Sequence, residues 1–257
     1  MFDRLQKPFL TVETGEAYQP IRLTYDLKQG DGLLGALAKM KCLEKNPTAN
    51  SWNWFWRDEC NDLHFESLSS YRKSTTHPIR LGTVTLRDNK LFLNLPSFKR
   101  ACMAVTFFHR LISEAAAVHR ADFINKVFGL DERLPHGFAE VFKDEELDRM
   151  LHERIEDYHK VQTKCEEAST AEEALTILSD YSRTESKKRL PYAERYEFEL
   201  ANQEDPDVVF LGFYIYLRSR ELVAIKRWFG ETGYSLADVA DEAIEQVFGG
   251  LGIDIIE

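Results

Sequence analysis

The sequence predicts an α+β protein: an N-terminal antiparallel β-sheet packed on a long helix, followed by a mainly α-helical C-terminal half. Three observations carry this expectation. Between Phe9 and Leu95, short apolar runs with near-alternating polar residues are divided by turn-forming residues, the pattern of half-buried strands. From Ser97 onward the apolar residues recur at steps of three and four, as on one side of a helix. The stretch Ile79–His119 joins the two patterns, reading as a hairpin that feeds a long amphipathic helix.

Taken in order, Phe9–Glu13 reads as a short strand and Thr14-Gly15-Glu16 as a turn. Pro20–Leu27 alternates as a second strand, broken by Gly30-Asp31-Gly32. Leu33, Leu34, Leu37, Met40 and Leu43 suggest a short helix, ended by Asn46-Pro47. Trp52, Trp54 and Trp56 follow at period two, so in a strand all three share one face. Leu63–Leu68 can pair back, and Ser69–His77 is a polar loop. Ile79–Leu86 and Leu91–Leu95 are the hairpin arms, with Arg87-Asp88-Asn89-Lys90 as tip. Asp and Asn tolerate turn backbone angles that β-branched residues resist.

Pro96-Ser97 stops the strand, and the Ser97 hydroxyl can cap a helix bearing Val105, Phe108, Leu111 and Ile112. Ala121–Leu130 suggests a short helix, and Asp144–Glu167 a long charged one. Thr170 and Glu173 stand at capping-box spacing before a helix through Leu175 and Leu178 to Tyr181. Val208–Leu217 is apolar almost throughout and runs on into Leu222, Val223, Ile225 and Trp228, which favours a mostly buried helix ended by Gly230. Ser235 to Asp238 is a further capping signal before the last helix. Residues 1–130 are expected to form the sheet with its covering helices. Residues 131–257 are expected to form a mainly helical region packed on it as one compact unit.

Of the 257 residues, 44% are hydrophobic and 30% charged, ordinary values for a globular chain. No apolar run reaches the roughly 18 residues of a membrane-spanning helix. Met1–Lys7 has no long apolar stretch behind it, so no signal peptide is expected. Cys42, Cys60, Cys102 and Cys165 are scattered and read as reduced thiols of a cytoplasmic protein. The net charge of -10 is uneven: residues 1–130 hold 18 basic and 13 acidic side chains, and residues 131–257 hold 15 and 30.

Three clusters could carry chemistry. His152, Glu156 and His159 lie at i, i+4 and i+7, one helix face able to bind a transition metal. The zincin spacing fails, because Glu156 stands where the second His belongs, and a solvated polar face accounts for the pattern more simply. His109-Arg110 and His119-Arg120 recur ten residues apart on the expected helix and could meet a phosphate or an acidic partner. Trp52, Trp54 and Trp56 beside Arg57 could form a partner-binding face that stacks on nucleic-acid bases or a sugar, although same-face bulk is more often the core of a sheet beneath a helix. No phosphate loop, dinucleotide fingerprint or nucleophile elbow occurs.

The sequence therefore leans away from an enzyme and needs no cofactor. The leading expectation is a non-catalytic cytoplasmic interaction or regulatory protein, binding another protein or itself and no membrane. The alternatives are a metal-dependent enzyme on the His152 helix, or a nucleic-acid binder using the basic first half, which the overall acidity disfavours.

Overall fold

The computed structural model describes residues 8–28, 32–65, 78–132, 134, 142, 149, 159–200 and 205–250. Seven strands form one sheet: β1 (Ile21–Leu27), β2 (Leu43–Lys45), β3 (Ser51–Phe55), β4 (Arg80–Arg87), β5 (Lys90–Leu95), β6 (Ala116–Ile124) and β7 (Ala193–Glu197). Their order is β2-β3-β4-β5-β1-β6-β7 and every pairing is antiparallel, so β1 sits inside and β2 and β7 are the edges. The helices are α1 (Gly32–Lys39), α2 (Phe98–Ile112), α3 (Ala171–Lys187), α4 (Pro206–Trp228) and α5 (Leu236–Gly250). No helix among the described residues is long and apolar enough to cross a membrane.

The α+β expectation holds, and the hairpin forms as read. Asp88 and Asn89 both take positive φ, 51° and 55°, between the paired Arg87 and Lys90. That is the mirror-image two-residue turn whose twist suits a hairpin. Close approach also dictates Gly82, where a Cβ would lie 2.6 Å from Leu95 Cδ2 and 2.7 Å from the Asn94 carbonyl. Ser97 caps α2, its hydroxyl accepting from the Arg100 amide at 3.2 Å. Thr170 caps α3 in the same way, while Glu173 accepts from the Ser169 amide.

α2 covers one face of the sheet. Its Phe107 and Phe108 meet Trp54 at 5.5 and 5.2 Å between ring centroids, and Phe98 meets Phe123 at 5.3 Å. Arg100, on the same helix, is buried and donates to the Arg80 and Leu81 carbonyls and to Thr14, tying the N-terminal segment to the sheet. The opposite face carries a polar row: Asn94, Arg22, Asp122 and Arg195 are lateral neighbours in register. Arg22 donates to Asn94 at 2.9 Å, and buried Asp122 lies between Arg195 at 2.6 Å and Arg120 at 3.3 Å.

Several expectations need correction. The helix expected over Leu33–Leu43 ends at Lys39, and Leu43 lies in strand β2, paired with Trp54. Ala121–Leu130 is not a helix, because Ala116–Ile124 is strand β6, paired along the length of β1; that ladder outweighs the helix propensity of its alanines. The sheet also gains β7 from beyond residue 130. Phe9–Glu13 makes isolated bridges rather than a strand, through Phe9 with Gly129 and Thr11 with Ala17, and residues 63–65 are not extended in a ladder. The helix over Val208–Leu217 forms, but it is buried on one side only. Of the long helix expected over Asp144–Glu167, residues 149 and 159–166 are helical, Glu167 lies in the bend that follows, and the rest lies outside the described residues.

Candidate functional site

α4 positions the two surfaces most suited to binding. It starts at Asp205, whose carboxylate accepts from the Asp207 amide at 2.9 Å, with Pro206 supplying a helix-ready φ. It ends before Gly230, which takes a φ of 102°. Its inner side is anchored by Phe210, Phe213 and Leu217. Phe210 packs edge-on against His109, and Phe213 against Tyr196 and Phe198 of the β7 region. The helix lies against α2 and α5.

The outer side of its first half is apolar and open. Val208, Leu211 and Ile215 are 58%, 59% and 56% exposed, and Tyr214 lies half-exposed beside them. Isolated exposed apolar residues are ordinary, but neighbours on one helix face form a patch. Val208, Leu211, Ile215, Arg218 and Leu222 follow at steps of three and four, the spacing of a coiled-coil seam.

The second half of α4 forms one wall of a cleft of about 540 Å³, lined also by residues 125–127, just after β6, and by residues 189–192. Its lining combines Lys126, Arg189 and Arg227 with Tyr192, Trp228 and the apolar Val223. Behind the cleft lies a buried ion pair. The Arg220 guanidinium donates to Glu194 at 2.7 and 3.3 Å, and its central carbon lies 3.3 Å from the Tyr216 ring centroid. Asn125 ties this pair to the cleft: its side-chain nitrogen donates to Glu194 at 2.7 Å and to the Pro191 carbonyl at 3.0 Å. Asn125 lines the cleft, and its side-chain oxygen is buried with no hydrogen-bond partner. Burial first, and the like charge of Arg189 second, pull the Arg227 guanidinium below its ordinary pKa, while Asp238 opposes them.

The residues singled out from sequence do not converge on one site. Trp52, Trp54 and Trp56 are buried, so they are core rather than a partner face; α2 covers the aromatic side of the sheet, and the Trp54 indole N–H donates to Cys60 Sγ at 2.9 Å. Arg57 is held by structure, donating to the Lys41 carbonyl at 3.0 Å with Glu44 and Asp58 as ion partners. His109 and Arg110 lie in the last turn of α2, but His119 and Arg120 lie on β6 and do not share that helix face. Consecutive strand residues point to opposite sides, which separates even those two. The His119 imidazole lies 3.7 Å from Asp26, and Arg120 faces Asp122. Burial against α4 holds the His109 imidazole below its ordinary pKa, with Lys28 adding to this and Asp207 opposing it. His152 and Glu156 lie outside the described residues, and His159 is exposed. Among the described residues, no three His, Cys, Asp or Glu side chains gather closely enough to hold a metal ion.

Hydrogen bonding and burial also settle the state of two thiols. A hydrogen bond with Cys60, more than desolvation, raises the Cys42 thiol far above its ordinary pKa, and burial pushes Cys102 up to about 12. Such groups stay protonated and are poor nucleophiles.

Sequence reasoning missed the Glu194–Arg220–Asn125 cluster, whose members are 69 and 26 residues apart. The one available signal was the charged run Arg218–Glu221 following the apolar Val208–Leu217. No known protein family, curated protein or solved structure was found to match this chain.

Proposed function

We propose that this chain is a non-catalytic interaction protein whose contact surface is the open side of α4. The observation that supports it is the run of exposed apolar side chains Val208, Leu211 and Ile215 on a helix whose opposite side is already anchored. Keeping such a patch in water forgoes about 1.5–3 kcal/mol per large side chain, which a partner recovers.

The partner we argue for is a second copy of this chain. The face is self-complementary in charge: Asp205 and Asp207 stand at one end and Arg218 at the other. Asp207 and Arg218 are separated by a rise of about 16 Å. Two such helices crossing antiparallel about a two-fold axis bring each acidic end to the other's arginine and oppose their dipoles. Arg218 already bonds Glu221 at 2.5 Å, which holds the guanidinium at the edge of the patch. The reading carries a reducing, cytoplasmic setting with it, supported by four cysteines that are all free thiols.

Sedimentation velocity on the full chain tests this. The wild-type chain is expected to show a concentration-dependent dimer at micromolar protein. Leu211→Glu with Ile215→Glu should give a monomer with unchanged circular dichroism. Asp207→Arg should weaken the dimer, and adding Arg218→Asp should restore it. A wild-type chain that stays monomeric at high concentration overturns the proposal, as does a dimer indifferent to Leu211 and Ile215.

A further inference from the structure

We infer that the cleft between the second half of α4 and residues 189–192 binds a small phosphate monoester carried on a flat ring that bears an N–H donor, the chemistry of a nucleoside monophosphate. Three independent features of the lining specify the parts of that ligand.

The first is charge. Lys126, Arg189 and Arg227 line the cleft and no carboxylate does so among the described residues. Lys126 is neutralised by Glu132, and Asp238 offsets part of the Arg227 charge. Arg227 uses its Nε to donate to the Tyr234 carbonyl at 2.6 Å. Arg189 is exposed, has no ion partner among the described residues, and stands close enough to Arg227 to repel it. Two like charges at one cleft in a chain of net charge -10 are stabilised by a dianion between them. A phosphate monoester carries about -1.5 to -2 charges and three acceptor oxygens. A guanidinium can bind such oxygens in bidentate fashion, whereas a single carboxylate would balance one arginine only.

The second is shape and polarity. The cavity volume falls within the usual range for small-molecule sites, and Tyr192 and Trp228 bring aromatic surface to walls otherwise built by Val127, Leu190 and Val223. Such walls offer stacking surface to a flat ring.

The third is the orphaned acceptor. The Asn125 side chain is fixed in orientation, because its nitrogen serves both Glu194 and the Pro191 carbonyl. Its oxygen, buried behind the lining, is thereby left with nothing to accept from, and a buried carbonyl without a donor costs about 1–3 kcal/mol. A ring N–H or exocyclic amine would satisfy it.

This inference is independent of the α4 dimer, because the cleft and the apolar patch share no residue. The test is calorimetric titration of the full chain with adenosine 5′-monophosphate, adenosine and inorganic phosphate in turn. Adenosine 5′-monophosphate should bind at least tenfold more tightly than either fragment. Arg189→Ala, an exposed substitution that leaves the fold unchanged, should weaken it about tenfold, in line with a lost charged hydrogen bond. Arg227→Lys should weaken it while retaining a cation at the wall. No binding of adenosine 5′-monophosphate overturns the inference, as does binding unaffected by Arg189→Ala. Phosphate binding as tightly as the nucleotide overturns the assignment of a ring-bearing ligand.

Discussion

Glu194→Leu should be among the most damaging single substitutions in this protein. Glu194 is 2% exposed and accepts from Arg220 twice, from Asn125 and from Tyr216. Its loss strands the Arg220 guanidinium, itself only 8% exposed, with the Tyr216 carbonyl and ring as its remaining neighbours. Removing one member of a buried ion pair costs about 3–5 kcal/mol, because the surviving charge stays desolvated. The attraction within the pair is a different quantity, since both charges were taken from water to form it. Replacing both members by apolar residues should therefore recover most of the loss. Urea unfolding followed by tryptophan fluorescence measures this, provided the slope with denaturant is unchanged between variants. The expected order is wild type, then Glu194→Leu with Arg220→Met, then either single variant. A single variant costing under about 1 kcal/mol, or a double variant worse than the sum of the singles, would refute the reasoning.

Other expectations follow from the same geometry. Trp54→Ala should cost about 3–5 kcal/mol in urea unfolding, since its ring fills the space between the sheet and Phe107 and Phe108. Asn89→Val should cost about 1–2 kcal/mol, because a β-branched residue resists the positive φ of the hairpin tip, whereas Asn89→Gly should be neutral or better. His109 is held below its ordinary pKa, so acid favours the unfolded chain, which takes up the proton more readily. Its contribution is complete above the ordinary histidine value and is lost as pH falls through the folded one. The melting temperature of the wild-type chain should drop between about pH 7 and about pH 5 by more than that of His109→Gln.

The legible parts of the fold are those whose signal is local. The Asp88-Asn89 tip and the Ser97 and Thr170 caps each act within a few residues and each forms as read, while at Ser235 it is the Asp238 carboxylate that accepts from the Ser235 amide and hydroxyl. The strands that escaped notice depend on distant partners. β6 contains His119-Arg120-Ala121 and β7 reads Ala-Glu-Arg-Tyr-Glu, neither a strong β former alone. Pairing with β1 makes β6 a strand, and pairing with β6 makes β7 one. The candidate cleft was hidden for the same reason. Asn125, Arg189 and Arg227 are ordinary surface-type residues in sequence, and the fold alone collects them. α4 shows the reverse case. Its all-round apolar pattern suggested burial, but the structure covers one side only, and that mismatch exposes the surface proposed for association.

The two borders of the sheet limit how copies of this chain can meet. A free strand border offers unpaired main-chain groups, and another molecule can extend the ladder there without limit. Here one border is β2, three residues long, and the other is β7, with Glu194, Arg195 and Glu197 among its five residues. A border so short on one side, and so highly charged on the other, is a poor template for a further strand. Runaway fibre growth through the sheet is thereby discouraged, while a closed pair formed through a helix stops at two.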